Sequence, residues 1–165
     1  MASEMESTTA TAAYCAAVDA GDLEALRATL APGVTLKSPI TDSFEFSGRE
    51  QVLAVMREVF VVTSERRFSA DAGDARQRVL TGHAKVRGVA LDESVHVTLD
   101  EAGLITRLVL FIRPLPALTT LAAELGPRVA RQNSPARAVA VRAMLGPLAF
   151  MMRSGEKLGA RLAHP

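Results

Sequence analysis

Few side chains in this sequence have a type and placement suited to chemistry. Tyr14 is the only tyrosine. It stands in the Ala-rich run TTATAAYCAAVDAG as the one large side chain with a polar tip. Its hydroxyl is either a donor aimed at a ligand or the polar end of an amphipathic core residue. Ser38 closes the alternating stretch Val34-Thr35-Leu36-Lys37-Ser38, directly before Pro39. A serine hydroxyl is too weakly basic to take a proton from carbon unaided, so Ser38 is expected to orient a ligand rather than to act as a base. His83 and His96 are the side chains that ordinarily titrate near neutral pH. Alternation counts against them: His96 shares a phase with Ser94 and Thr98, opposite Val95, Val97 and Leu99, and His83 travels with Thr81 and Lys85, opposite Leu80, Ala84 and Val86. Both are expected on a polar outer face, where they could be cross-strand neighbours. Two histidines without a suitably spaced carboxylate are a weak metal signal, so no metal and no cofactor is expected. Asp92 and Glu45 fall on the same outward phase, and Asp42 lies in the loop after the first strand. None of these acids pairs recognisably for general acid–base work. Cys15, the single cysteine, is expected to be a buried inert thiol.

These groups must be positioned by a short list of elements. Residues 1–7 are expected to be disordered. A helix from Thr8 ends at Gly21, Asp22 caps a second helix with a Leu23, Leu26, Leu30 stripe, and Ala31-Pro32-Gly33 stops it. A strand over 34–38 follows. Ser47-Gly48-Arg49-Glu50 has the form of a capping box, Ser at the cap and Glu three residues later. The helix it opens buries Val52, Leu53, Met56, Val59 and Phe60. The period then changes to two: a weak strand at Phe68-Ser69-Ala70 and strong ones over 76–87, 90–99 and 104–113, with Gly88 and DEAG as turns, predict an antiparallel meander. Pro114 ends the last strand. An amphipathic helix over 115–131 and another restarting at Ser134-Pro135, with a kink or break at Gly146-Pro147, complete the chain. Helices gathered on one face of a curved antiparallel sheet are an α+β arrangement with a conical cavity. The expected inward face is apolar: Val34, Leu36, Phe46, Met56, Val95, Val97, Leu108, Leu110 and Ile112, with Ser38 at its edge.

Composition narrows the function classes. Apolar residues make up 48% of the 165, enough for a core, but there is no Trp and only one Tyr beside six Phe. Stacking platforms for single-stranded nucleic acid are thus poorly supplied, and no nucleic acid is expected as a partner. Residues 1–126 hold 12 Lys/Arg against 17 Asp/Glu, whereas 127–165 hold seven against the single Glu156. A basic exposed helix face is the simpler reading; an acidic partner or an anionic membrane surface is the other. No run of about 18 apolar residues exists for a membrane span. The start MASEMESTTATAA lacks the basic flank and apolar stretch of a secretory signal. The lone cysteine fits a reducing compartment, so a cytoplasmic location is expected. Dinucleotide, P-loop, zinc-protease and nucleophile-elbow motifs are all missing.

Three stretches, YCAAVDAGDLEALRATLAPGVTLKSP, FSGREQVLAVMREVF and LDESVHVTLDEAGLITRLVLFIRP, together resemble the SnoaL-like and ketosteroid isomerase branch of the nuclear transport factor 2-like superfamily. They carry the helix, "aGD" break and first strand, the "GRE" helix start, and the last hairpin with its long final strand. The resemblance covers residues 8–114 and leaves 115–165 as a helical extension. It implies a cystatin-like cone, a pocket on the concave sheet face for a steroid-like or polyketide-like molecule, and a homodimer, often through the opposite sheet face. It places the isomerase phenol on Tyr14, but the two carboxylate positions fall on Ser38 and Val95, so the steroid isomerase mechanism lacks two of its three groups. The acid–Arg–acid set of the epoxide hydrolase relatives also finds no place on the inward positions. The sequence therefore predicts an isomerase, cyclase or hydrolase acting on a hydrophobic ligand with Tyr14 as donor, or a non-catalytic binding or accessory protein whose basic C-terminal helices meet a partner or a membrane.

Overall fold

The structure is a computed structural model that describes the backbone of residues 2–132 and 134–163 and the side chains of residues 10–132 and 134–155. The disorder expected for residues 1–7 falls on side chains outside that range. The first helix, α1 (Ala2–Ala20), ends just before Gly21. In α2 (Leu23–Thr29) the Asp22 carboxylate accepts from the amides of Glu24 and Ala25, each at 3.0 Å, as a capping acid should.

The chain then enters β1 (Leu30–Lys37) four residues earlier than its alternation suggests. Pro32 and Gly33 read as loop in the sequence. They are tolerated because the pairing register slips between Leu30 and Thr35, which frees that stretch from the ladder. Ser38 consequently lies just past the strand. A two-residue strand, β2 (Phe46–Ser47), precedes α3 (Arg49–Val62). The capping box does not form. Gly48, at φ +90°, takes the cap position with no side-chain bond, and Gln51 reaches back to accept from the Ser47 amide at 2.7 Å. A residue with a Cβ strongly disfavours that φ. Glu50, freed from the cap, takes a bidentate hydrogen bond from Arg27 of α2.

Four antiparallel strands follow: β3 (Thr63–Gly73), β4 (Gln77–Val86), β5 (Val89–Leu99) and β6 (Ile105–Arg113). Sheet order is β2-β1-β6-β5-β4-β3, with β1 parallel to β6. The fold is α+β, a curved open sheet with helices on its concave face. Val95, Val97, Leu99 and Leu108 are buried there, and His96 is exposed on the other side, as the alternation requires. Leu26, Val52 and Met56 pack into the same cluster.

The chain ends in α4 (Leu115–Arg131) and α5 (Pro135–Ala163). In α4, Ala117, Leu121 and Leu125 form a second apolar cluster with Ala84, Val86 and Leu91 of the sheet. The helix α5 continues through Gly146-Pro147 without the expected break and makes its main contacts with α4. Close packing of the two depends on Gly126, where a Cβ would stand 3.0 Å from Val141 Cγ1 and 3.2 Å from Leu145 Cδ1.

Candidate functional site

A cavity of about 700 Å³ opens between the concave sheet face, α1, α3 and the α4–α5 hairpin. That volume suits a drug- or steroid-sized molecule. Its wall is predominantly apolar. Of the residues the sequence singled out, Leu36, Ser38, Phe46, Met56, Leu110 and Ile112 lie on this wall. Val95, Val97 and Leu108 do not; they are fully covered in the core behind it, because α1 and α3 press onto that part of the sheet. The loop after β1 forms the rim, with Pro39, Ile40, Thr41 and the exposed Phe44, whose ring meets Phe46 edge-on at 5.3 Å. Ser38 Oγ accepts from the Ile40 amide at 3.1 Å, which folds the rim back on itself.

Tyr14 lies on the wall and is only 2% exposed. Its ring stands 6.0 Å from that of Phe68. Among the described residues its hydroxyl has no hydrogen-bond partner. Burial, then the charges of Glu93 and Cys15, push its pKa upward, so it stays a protonated donor.

The sequence reading missed Glu93. It shares the phase of Val95, Val97 and Leu99, and this parity signal puts it on the inward face. The structure places it on the cavity wall, half-buried, beside Ile112 of β6 and Gly82 of β4 in the ladder. Burial raises its pKa to about 7; the charge of Asp19 adds to the rise and that of Arg66 opposes it. No hydrogen bond or ion pair holds its carboxylate among the described residues.

Arg66, also on the wall, is held in place by carbonyls. Nε donates to the Val18 oxygen at 2.9 Å, and Nη1 donates to the oxygens of Thr63 at 2.7 Å and Phe60 at 3.3 Å. Asp19 Oδ1 accepts from the Phe68 amide at 3.0 Å, tying the end of α1 to β3. The charges of Asp19 and Arg66 act on Glu93 in opposite senses, while Asp19, off the cavity wall, stands 3.9 Å from Arg67 Nη1.

The other candidates lie elsewhere. His83 and His96 are both exposed, and the register sets His83 opposite Asp92 and His96 opposite Val79, so they are not cross-strand partners. No group of three potential metal ligands comes together among the described residues. Asp42, Glu45 and Asp92 pair with Lys37, Arg107 and Arg113. Cys15 is half-buried, its thiol pushed up to about 12 by burial and nearby acids, Asp71 foremost.

A family model described as a SnoaL-like domain matches residues 11–108. The chain belongs to the SnoaL-like family. Among curated proteins no sequence matches it. Solved structures do. A bacterial protein of Silicibacter pomeroyi with a cystatin-like fold is 28% identical, with a TM-score of 0.69 over 81% of this chain and 92% of that one. A steroid delta-isomerase of Pseudomonas aeruginosa is 23% identical, with the same TM-score over 78% and 95%. The epoxide hydrolase/cyclase-like enzyme SalBIII of salinomycin pyran-ring formation is 16% identical, with a TM-score of 0.58 over 68% and 95%. The family match ends before α4, so the hairpin that roofs the cavity lies outside it. No helix among the described residues is long and apolar enough to cross a membrane.

Proposed function

We propose that this SnoaL-like protein moves a proton on a hydrophobic carbonyl compound, as isomerases and cyclases do, with Glu93 as the acid–base group and Tyr14 as the hydrogen-bond donor. One observation carries the reading: an apolar cavity presents a carboxyl titrating near pH 7 and a phenol, neither engaged by another described residue. Both groups open onto the cavity, where a ligand can reach them. A ligand oxygen accepting from Tyr14 and a ligand C–H facing Glu93 would supply the missing partners.

The chemistry follows from the two acidities. Near pH 7 Glu93 exists in both forms, so the ionised carboxylate takes a proton from the carbon next to the carbonyl, and the acid returns it to another position. Tyr14 keeps its own proton and donates a hydrogen bond to the oxygen, where negative charge develops. Arg66 keeps Glu93 from becoming a fixed neutral acid. Ser38 orients the ligand at the rim.

The test is exchange of the acidic C–H of a β,γ-unsaturated ketosteroid for deuterium in D2O, read by NMR. Wild-type protein should accelerate exchange, and Glu93→Gln should lose about 10²–10⁴-fold of that acceleration. Exchange by Glu93→Gln equal to wild type would remove Glu93 from the role and leave the cavity as a binding site without this chemistry.

A further inference from the structure

Among the described residues, three charged side chains line the cavity: Arg66, Glu93 and Arg137. Arg66 is committed to the carbonyls of Val18, Phe60 and Thr63. Glu93 belongs to the proton-handling group. Arg137 is different. It is solvent-exposed, at the open edge of the wall, and among the described residues it makes no hydrogen bond and no ion pair.

Its place in α5 does not explain it either. Arg137 stands in the first turn of the helix, which contains no acid to offset it. A cation there opposes the helix dipole, which favours negative charge at that end. The helix dipole therefore supplies no reason for an arginine at this position. The spacing supplies a better one. Arg137, Ala140, Val141, Met144 and Leu145 all line the cavity, and steps of three and one repeated along a helix define a single face. Arg137 is the polar end of that face. Met144 on the same stripe is 68% exposed, so the cavity opens to solvent along this side. A charged group entering here keeps part of its hydration.

We propose that Arg137 recognises the anionic end of the ligand, so that the molecule accepted by this cavity is a hydrophobic organic acid whose carboxylate meets the α5 guanidinium. This rests on the cavity being a ligand site, as above. An arginine fork binds a carboxylate through two parallel charge-assisted hydrogen bonds. The other unpaired charge on the wall, Glu93, repels a carboxylate when ionised. Attraction at Arg137 and repulsion at Glu93 set one orientation: acid end towards α5, apolar body along Leu121, Leu125 and Ile112, and the carbonyl towards Tyr14 and Glu93. Arg137 lies outside the span matched by the family model, so this preference belongs to the roof of this chain.

The experiment uses the full chain loaded with the neutral fluorophore N-phenyl-1-naphthylamine, displaced by dodecanoate or by 1-dodecanol at pH 8, below their aggregation concentrations. The two competitors differ only in the head group. Dodecanoate should displace the probe at roughly tenfold lower concentration than the alcohol, the scale of one charge-assisted pair. Arg137→Gln should abolish that advantage and leave dodecanol unchanged. Arg142→Gln, which removes the same charge from an exposed position of α5 off the cavity wall, should change neither. Equal displacement by acid and alcohol in the wild type, or an equal loss in Arg142→Gln, overturns the assignment of Arg137 while the cavity stands as a ligand site. Failure of the fluorophore itself to bind overturns the ligand cavity and this proposal together.

Discussion

Arg66 Nε donates to the main-chain oxygen of Val18 at 2.9 Å, across 48 residues of sequence. That oxygen belongs to the last turn of α1, where carbonyls carry partial negative charge, and it also accepts from the Gly21 amide at 3.1 Å. One guanidinium thus closes α1, ties it to β3 and Thr63, and lies over the Phe60 ring at 4.9 Å. Its positive charge also opposes the upward shift of the Glu93 pKa. Removal should therefore act on stability and on the site at once. Arg66→Met is expected to cost about 2–3 kcal/mol, from charged hydrogen bonds left unmade, and to raise the pKa of Glu93 further. Thermal melts and an NMR titration of the Glu93 carboxyl check the two effects separately; an unmoved pKa would contradict the electrostatic link.

Glu93 also makes stability depend on pH. Its pKa is 4.5 unperturbed and about 7 in the fold, so the unfolded chain loses this proton first as pH rises. Below about 4.5 both states keep it, and Glu93 has no effect. Between the two values stability falls, and above 7 the full cost remains, of order 3 kcal/mol at 1.36 kcal/mol per unit. Glu93→Gln should remove this slope: close to wild type near pH 4.5 and more stable at pH 8. Urea unfolding over pH 4.5–8 reads the difference, and parallel curves would show that Glu93 is not desolvated.

Among the described residues, Asp71 and Arg78 form the most enclosed ion pair, Nε to Oδ1 at 2.7 Å with Arg78 7% exposed. Thr11 donates to the other carboxylate oxygen, which fastens α1 to β3. Arg78→Met strands the acid. The expected loss is about 3 kcal/mol, the low end for a broken buried pair, because Asp71 keeps some solvent access. Calorimetry of the single variant measures it; a loss below about 1 kcal/mol would place the pair with ordinary surface bridges.

Gly126 lines the cavity and holds α4 and α5 close. Gly126→Leu should push Val141 and Leu145 outward, cost about 1–3 kcal/mol through overpacking, and fill part of the cavity. Reduced uptake of a neutral fluorophore by a still-folded variant is the expected result. Unchanged uptake would show that the hairpin does not bound the cavity.

The sheet was largely legible because its strands alternate strictly: the parity of Val95, Val97 and Leu99 is enough to turn His96 outward. The same parity covers Glu93, but a charged residue among apolar ones reads as solvent-facing until the curvature of the sheet is known. Strand β3 was visible only at Phe68-Ser69-Ala70, since an edge strand paired on one side carries few apolar residues, and Ser64, Glu65 and Arg67 hide its length. Pro32-Gly33 concealed the start of β1, because a register slip leaves no trace in hydropathy. Amphipathicity revealed the two C-terminal helices. It could not show that the stripe from Arg137 to Leu145 faces a cavity, since a helix face turned to a ligand and one turned to a core share the same period.

The hairpin of α4 and α5 comes last in the chain and pairs with no strand. Substitutions within it can reshape the mouth without disturbing any ladder hydrogen bond. Since α4 is buried against the sheet and α5 packs mainly on α4, the freedom lies in α5, and exchanging residues on its cavity-facing stripe is a direct route to a changed range of guests.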